Sequence, residues 1–199
     1  MSMLYMFCNK RQVVTVGDFR RYLMSNELPS TDQDGNFNFA AVQKFQDDSP
    51  KLHFISSKLL AGYVGHMLPE LDELIASFIE KSSSFEQAVE LTKDLINNNK
   101  DLKNFKSAII LGGVMENGDA AIFSARTDTG EFDLQLGSER FCYTGTSASY
   151  DPSAWITEQL KDHDYSLGKL LYVAQKLGEL LAANDRLVSP KISLFAIGG

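Results

Sequence analysis

Runs of apolar and β-forming residues predict strands at the start of the chain. Met3–Cys8 and Gln12–Val16 are two such runs, and a polar turn separates them. Leu52–Ile55 and Lys58–Tyr63 repeat the arrangement around a pair of serines. We therefore predict two hairpins, each made of two antiparallel strands.

Helical spacing of apolar residues predicts four helices. The first begins at Pro69, a residue type that suits a first helical turn. The second begins after Ser84, because Ser84 and Gln87 have the spacing of a capping box. The third spans Pro152–Leu160, and the fourth is a long amphipathic helix capped by Ser166.

Apolar runs between and after the helices predict the remaining strands. They are Ser107–Val114, Ala120–Ser124, Phe132–Leu136, Phe141–Thr144 and Lys191–Ile197. The predicted order is strands, two helices, strands, two helices and a last strand. Grouped strands between paired helices favour an α+β fold in which helices cover antiparallel sheets.

A polar, turn-rich stretch, Leu23–Pro50, interrupts this pattern. Such a composition is typical of loops, and a loop of this length usually has a function. The length of 199 residues favours one domain. We therefore predict a single domain over residues 1–199 with a loop insertion at about 23–50.

The charge balance limits what the protein can bind. With 19 basic and 26 acidic side chains, the net charge is −7 and the isoelectric point is near 5.0. Because an acidic molecule repels phosphate, we expect neither nucleic acid nor an anionic membrane as a partner. No apolar run approaches the roughly 20 residues of a membrane span, and the N-terminus lacks a secretion signal. We therefore expect a cytoplasmic protein.

The cysteines and histidines do not form a metal-binding pattern. Cys8 and Cys142 are too few for a disulfide framework or a thiolate zinc site. A single disulfide bond between them is one interpretation, but the apolar residues beside each cysteine favour two buried thiols. His53, His66 and His163 stand in separate contexts without ligand-like spacing. We expect no metal and no cofactor.

The common phosphate-binding and hydrolase motifs are also missing from the sequence. Gly112-Gly113, inside the predicted strand Ser107–Val114, is the one glycine pair that suggests phosphate binding. A pair of glycines within a strand is more typical of a close backbone approach in a sheet. We adopt that interpretation.

The N-terminal half contains several short stretches that resemble those of one known family. Val13–Arg20 resembles that family's second strand, which ends in Gly-x-Asp-x-Arg. Ser2 stands upstream of Asp18 at the spacing that separates the family's nucleophile from its aspartate. Pro50–Ile55 resembles the lysine-bearing strand, and Leu60–Gly65 resembles the glycine segment between strand and helix. These stretches resemble the proteasome β-subunit family and its bacterial ATP-dependent relatives, within the N-terminal-nucleophile hydrolases.

The C-terminal half supports the same resemblance. Tyr143–Ser147 resembles the family's Gly-Ser-Gly turn, Asn184-Asp185 follows the long helix, and Ser189–Ile192 enters the last strand. The sequence departs from the family at three of these positions. Ser2 stands where the family has its nucleophilic threonine, and Thr146 stands where the family has a serine. Ser189 lies one residue beyond the place that the family pattern predicts. The polar stretch after the second strand is an insertion relative to the family.

The resemblance implies a fold, an assembly and a reaction. The fold would be a four-layer αββα sandwich, in which two antiparallel sheets lie between layers of helices. The protein would form a homo-oligomer, because family members bury the faces of their first two helices against neighbouring subunits. The reaction would be hydrolysis of a peptide or small amide substrate, with no cofactor.

The resemblance also implies a role for each matching residue. After removal of Met1, the Ser2 hydroxyl would attack, and the Ser2 α-amine, with an ordinary pKa of about 7.7–8.0, would be its general base. Lys51 would lower the pKa of that hydroxyl, and Asp18 would hold the lysine ammonium in place. The Gly65 N–H would bind the oxyanion. The residues that orient the amine would be Asp185, Thr146 and Ser189.

Two other interpretations stay open. One is a catalytically silent member of the same fold that acts as a structural or binding subunit, and the other is an α+β binding module unrelated to the family. A retained Met1 would favour the silent subunit, because it would block the Ser2 amine. The sequence identifies neither the substrate nor ring formation nor an ATPase partner. We also expect the Leu23–Pro50 insertion to lie beside the Ser2 cleft, as a rim or lid more mobile than the sheets.

Overall fold

A computed structural model describes residues 3–24, 42–146 and 150–198 of the chain. Ser2, Ser147 and the middle of the predicted insertion lie outside the described residues. The elements are, in chain order, β1 (Leu4–Cys8), β2 (Gln12–Asp18), β3 (Arg20–Met24), β4 (Val42–Asp47), β5 (Leu52–Ser56), β6 (Leu59–Gly65), α1 (Pro69–Glu80), α2 (Phe85–Asn98), a 3₁₀ helix (Lys100–Asn104), β7 (Ser107–Val114), β8 (Ala120–Arg126), β9 (Phe132–Leu136), β10 (Cys142–Thr146), α3 (Ser153–Gln159), α4 (Leu167–Asn184) and β11 (Ile192–Gly198).

The four predicted helices are confirmed, and two begin at the predicted caps. The Ser84 hydroxyl accepts a hydrogen bond from the Gln87 N–H at 3.2 Å, and the Gln87 side chain accepts one from the Ser84 N–H at 3.0 Å. Ser166 caps α4 by accepting from the Lys169 N–H at 3.4 Å. Within the described residues, none of these helices is both long and apolar enough to cross a bilayer.

Two antiparallel sheets contain most of the strands. The four-stranded sheet has the order β10-β1-β2-β11, and the five-stranded sheet has the order β5-β6-β7-β8-β9. Every strand in both sheets runs antiparallel to its neighbours. The mixture of helices and antiparallel sheets is the fold class that the sequence predicts.

Each of these sheets packs against a different pair of helices. α1 and α2 pack on the five-stranded sheet in a cluster that includes Phe78, Phe85 and Phe123. α3 and α4 pack on the four-stranded sheet in a cluster that includes Ile156 and Leu177. A third cluster contains residues of both sheets, among them Met6, Val13, Leu60 and Ile110.

The glycine pair in β7 lets neighbouring elements approach the sheet closely. A Cβ atom at Gly112 would lie 2.6 Å from Val13 Cγ1 and 2.9 Å from Met6 Sδ, both in the four-stranded sheet. A Cβ atom at Gly113 would lie 2.3 Å from Cδ2 of Phe85 in α2. The expected close approach therefore occurs on the two faces of the sheet and not between its strands, because successive residues of a strand point to opposite faces.

Part of the predicted loop insertion is a strand. β4 lies within Leu23–Pro50 and pairs with β3 as an antiparallel ribbon, in which Arg20 lies opposite Asp47. The sequence pattern missed this ribbon because strand formation depends strongly on the partner, and β4 has few apolar residues. The predicted position beside the Ser2 cleft and the predicted mobility of Leu23–Pro50 stay predictions, because residues 25–41 of this stretch lie outside the described residues.

The two cysteines face each other across neighbouring strands. Cys8 in β1 lies opposite Cys142 in β10, and both residues are buried. Both thiols are free. The interpretation as two buried thiols is therefore confirmed.

Candidate active site

Asp18 is a buried carboxylate at the end of β2. Its Oδ1 accepts a hydrogen bond from the Met3 N–H at 3.1 Å. Its Oδ2 accepts from the N–H groups of Arg20 at 3.1 Å and Ser189 at 3.0 Å. Burial raises the pKa of Asp18, while these donors and the charge of Lys51 oppose the rise. The carboxylate thus holds together three separate segments of the chain.

Lys51 lies where the two larger sheets meet. Its N–H donates to the carbonyl of Asp18 in one sheet at 3.2 Å, and its carbonyl accepts from the N–H of Tyr63 in the other sheet at 3.2 Å. The exposed fraction of Lys51 is 7%. Burial lowers the pKa of Lys51, and the negative charge of Asp18 opposes that change.

Asp18 and Lys51 interact through space and not as a direct ion pair. Among residues 3–24, 42–146 and 150–198, the ion pairs within 4.0 Å do not include Lys51. The Asp18 oxygens instead accept backbone N–H groups. The sequence led us to expect that Asp18 holds the ammonium; in the structure it holds the Lys51 backbone and acts on the ammonium by charge.

Two glycines permit the close meeting of strands around Lys51. A Cβ atom at Gly62 would lie 2.5 Å from the carbonyl oxygen of Lys51. A Cβ atom at Gly17 would lie 3.2 Å from Cβ of Leu52. Because real Cβ contacts this short are rare or absent, β5 can approach β2 and β6 only where these positions carry no side chain.

The segment after α4, residues 185–189, brings two further predicted residues to this place. Asp185 is buried, and its Oδ1 accepts from the Leu187 N–H at 2.9 Å, while its carbonyl accepts from the Val188 N–H at 3.0 Å. Ser189 is also buried and donates its N–H to Asp18. We call this segment the 185–189 loop. Ser189 is therefore bonded directly to Asp18, while the hydrogen bonds of Asp185 to Leu187 and Val188 shape the loop that carries Ser189.

Gly65 and Thr146 line one cavity between the two sheets. The cavity has a volume of about 330 Å³ and also borders Ser107 and Arg126. Gly65 has a φ of +111°, and a Cβ atom there would lie 2.2 Å from the Lys106 carbonyl oxygen, so this end of β6 requires glycine. Thr146 lies across β1 from the end of β2, because Leu4 is paired with both Thr146 and Gly17. Thr146 therefore lies at the same end of the four-stranded sheet as Asp18.

Ser2 lies outside the described residues, but its covalent neighbour is in the cluster. The Met3 nitrogen is bonded to the Ser2 carbonyl carbon, and its N–H points to Asp18. The Met3 carbonyl accepts from the Asp18 N–H at 3.1 Å, so Met3 is held by two hydrogen bonds. Asp18 is therefore connected through one peptide unit to the predicted nucleophile.

Two acidic residues beside the cluster were not predicted from the sequence. Asp47 in β4 forms a bidentate ion pair with Arg20, with distances of 2.8 and 2.9 Å. Asp72 in α1 accepts from the Tyr63 hydroxyl at 2.5 Å, and its charge acts on Lys51. Asp47 lies in a polar stretch and Asp72 in the first turn of a helix, where acidic residues are common, so neither had a distinguishing signal.

The chemistry available here is that of charged side chains and backbone donors. In the part of the chain that the structure describes, no three His, Cys, Asp or Glu side chains group as metal ligands would. A buried lysine with a lowered pKa can stabilise a developing alkoxide or accept a proton. The cluster is thus suited to activating a neighbouring hydroxyl.

The comparisons with known proteins support the fold. No family model matches the sequence, and no curated protein matches it. A solved structure, eukaryotic HslV from Trypanosoma brucei, matches with a TM-score of 0.62 and 15% sequence identity, over 99% of this chain and 99% of that chain. At this identity the likeness concerns the fold alone. The chain therefore shares its fold with HslV, which agrees with the kind of fold expected from the sequence.

Proposed function

We propose that this protein is a proteasome-like N-terminal-nucleophile hydrolase, which cleaves peptide or small amide bonds with Ser2 after removal of Met1. One observation carries the proposal. The Met3 nitrogen, which is bonded to Ser2, donates to a carboxylate whose backbone also holds the buried Lys51. Ser2, the predicted nucleophile, is thus bonded to a residue that Asp18 holds, and the backbone of Asp18 also holds Lys51.

Each remaining candidate residue has a role in this proposal. The Ser2 α-amine takes the hydroxyl proton as general base, and the charge of Lys51 lowers the pKa of that hydroxyl. Asp18 fixes Met3 and Lys51, and the Gly65 N–H binds the oxyanion. The residues that orient the amine are Asp185, Thr146 and Ser189. The cavity beside Gly65 and Thr146 would receive part of the substrate.

The proposal extends to the architecture, the assembly and the location. The three hydrophobic clusters support a four-layer αββα sandwich within a single domain over residues 1–199. A homo-oligomer is proposed on the likeness to HslV and on the family resemblance. A cytoplasmic location is proposed on the sequence pattern alone.

The test is hydrolysis of a peptide-amide library by the processed protein. Ser2→Ala and Lys51→Ala should each lower the rate by about 10³-fold or more while the protein stays folded, because nucleophile and activating charge act as a unit. Ser57→Ala and Lys58→Ala are matched controls, since both residues are exposed in the turn between β5 and β6, and should leave the rate unchanged.

Intact mass and covalent labelling decide the outcome. A retained Met1 should abolish activity, because the basic amine becomes a non-basic peptide nitrogen. An electrophile selective for N-terminal nucleophiles should label Ser2 once Met1 is removed. A processed, folded protein with neither labelling nor hydrolysis would contradict the proposal and favour the catalytically silent subunit.

A further inference from the structure

The Arg20 side chain lies between the ribbon formed by β3 and β4 and the candidate site. The Arg20 Nε and Nη2 atoms donate to both oxygens of Asp47, at 2.8 and 2.9 Å. Arg20 lies over the ring of Phe45, also in β4, with 5.2 Å between the guanidinium carbon and the ring centroid. A bidentate arginine–carboxylate pair combines charge with a defined geometry, so it fixes the guanidinium in orientation.

Arg20 in turn contacts the wall of the site at two points. Its Nη1 donates to the Arg186 carbonyl in the 185–189 loop at 2.9 Å. Its backbone N–H donates to Oδ2 of Asp18, the same oxygen that receives the Ser189 N–H. Arg20 first, and Ser189 to a smaller extent, hold the pKa of Asp47 below its ordinary value. The β3–β4 ribbon, the 185–189 loop and Asp18 are therefore joined by hydrogen bonds.

We propose that Asp47 is a positioning residue of the candidate active site, which holds Arg20 and, through it, the 185–189 loop against Asp18. The β3–β4 ribbon is then part of the framework of the site and not an appended loop. The catalytic consequence of this proposal rests on the proposed function, whereas its geometric consequence does not.

Electrostatics give Asp47 a second effect. The positive charge of Arg20 already acts on Asp18, and Asp47 is the principal carboxylate that pairs with that charge. Without it, the guanidinium would lose the carboxylate that neutralises and orients it beside Asp18. Asp47 thus offsets the charge of Arg20 at the edge of the candidate site.

The experiment compares three full-length variants. Asp47→Asn keeps the shape but removes the charge, and Asp47→Glu restores a carboxylate. Glu90→Gln is the control, because it breaks another carboxylate–cation pair, which joins Glu90 to Lys93 at 2.8 Å and lies exposed on α2. The readouts are kcat and KM for amide hydrolysis, and the NMR shift of the Ser189 amide proton, which reports the hydrogen bond to Asp18.

We expect Asp47→Asn to lower kcat by about 10-fold or more with little change in KM, because small displacements of catalytic groups slow the chemical step. The Ser189 amide proton should shift upfield in the same variant. Asp47→Glu should restore most of the parent kcat and most of the parent Ser189 shift. Glu90→Gln should change neither kcat nor the Ser189 shift.

Two results would overturn the proposal. One is an Asp47→Asn variant with the parent kcat and the parent Ser189 shift; the other is an Asp47→Glu variant that is as impaired as Asp47→Asn. If the processed parent hydrolyses no amide, the proposed function fails, and the Ser189 shift alone then decides whether Asp47 positions the loop.

Discussion

At the scale of single residues, burial and ion pairing shift the pKa of an aspartate in opposite directions. Asp18 is buried, and the cost of removing its charge from water raises its pKa in spite of three N–H donors. Asp47 is partly exposed and paired with Arg20, and that pair lowers its pKa. Two aspartates near one site therefore titrate differently.

This difference predicts opposite effects of pH on stability. A raised folded-state pKa means that the contribution of Asp18 is present below its ordinary pKa of about 3.9 and is lost as pH rises through the folded value. The contribution of Asp47 has the reverse sign: it is present above about 3.9 and is lost as pH falls through its lowered folded-state pKa. Urea unfolding of the parent, Asp18→Asn and Asp47→Asn between about pH 3 and pH 7 measures both contributions.

The free energies of unfolding should diverge in a defined way. As pH rises, the advantage of the parent over Asp18→Asn should shrink, and its advantage over Asp47→Asn should grow. Parallel pH profiles for the two variants would contradict the environments assigned to these carboxylates.

At the scale of elements, glycines decide how closely helices and strands can stack. Gly113 in β7 lies directly under Phe85, the first residue of α2. Gly168, near the start of α4, faces open space, because a Cβ atom there would meet no neighbouring atom within 4 Å. The two glycines therefore have different structural roles although both lie in regular elements.

Alanine at these two glycines should change stability in opposite directions. Gly113→Ala should lower the free energy of unfolding by about 1–3 kcal/mol, because the new methyl group overlaps the Phe85 side chain and displaces α2. Gly168→Ala, the matched control, should raise it by up to about 1 kcal/mol, because alanine restricts the unfolded chain and favours the helix. Urea unfolding measures both changes, and a neutral Gly113→Ala would refute the tight contact between β7 and α2.

At the scale of the whole molecule, the helices that cover the two sheets leave apolar side chains at the surface. Ile79 on α1 is 55% exposed, and Met67, just before α1, is 44% exposed. Single exposed apolar residues are common and need no explanation by themselves. In the proposed assembly, which buries the first two helices, these two residues would contact a neighbouring subunit. α1 is the element on which a subunit contact would be tested first.

We expect light scattering at tens of micromolar to give a mass that is a multiple of the 22.1 kDa chain. Ile79→Glu should reduce that mass, because a charge buried in a subunit contact is costly. Leu134→Glu, at an exposed position in the edge strand β9, is the control and should leave the mass unchanged. A parent protein that is monomeric under these conditions would rule out the predicted homo-oligomer.

Local chemistry made much of this fold predictable from the sequence. The capping box of Ser84 and Gln87, the cap at Ser166 and the helical spacing after Pro69 act over a few residues, so the helices could be located without a structure. The strand pairs β1–β2 and β5–β6 were likewise readable, because their partners are adjacent in the sequence. The resemblance to the family, and not periodicity, made Asp18 and Lys51 candidates, and the catalytic roles of the candidates stay predictions.

Tertiary structure alone decided which of these residues meet and what charge environment they share. Asp18 and Ser189 are 171 positions apart, yet they are joined by a hydrogen bond of 3.0 Å. The β3–β4 ribbon depends on pairing across a polar segment, so Asp47 could not be assigned to Arg20 from the pattern. Burial sets the pKa directions of Asp18 and Lys51, and burial is a property of the packed sheets around them. Sequence periodicity is a local signal, while contact and desolvation arise only when distant segments pack together.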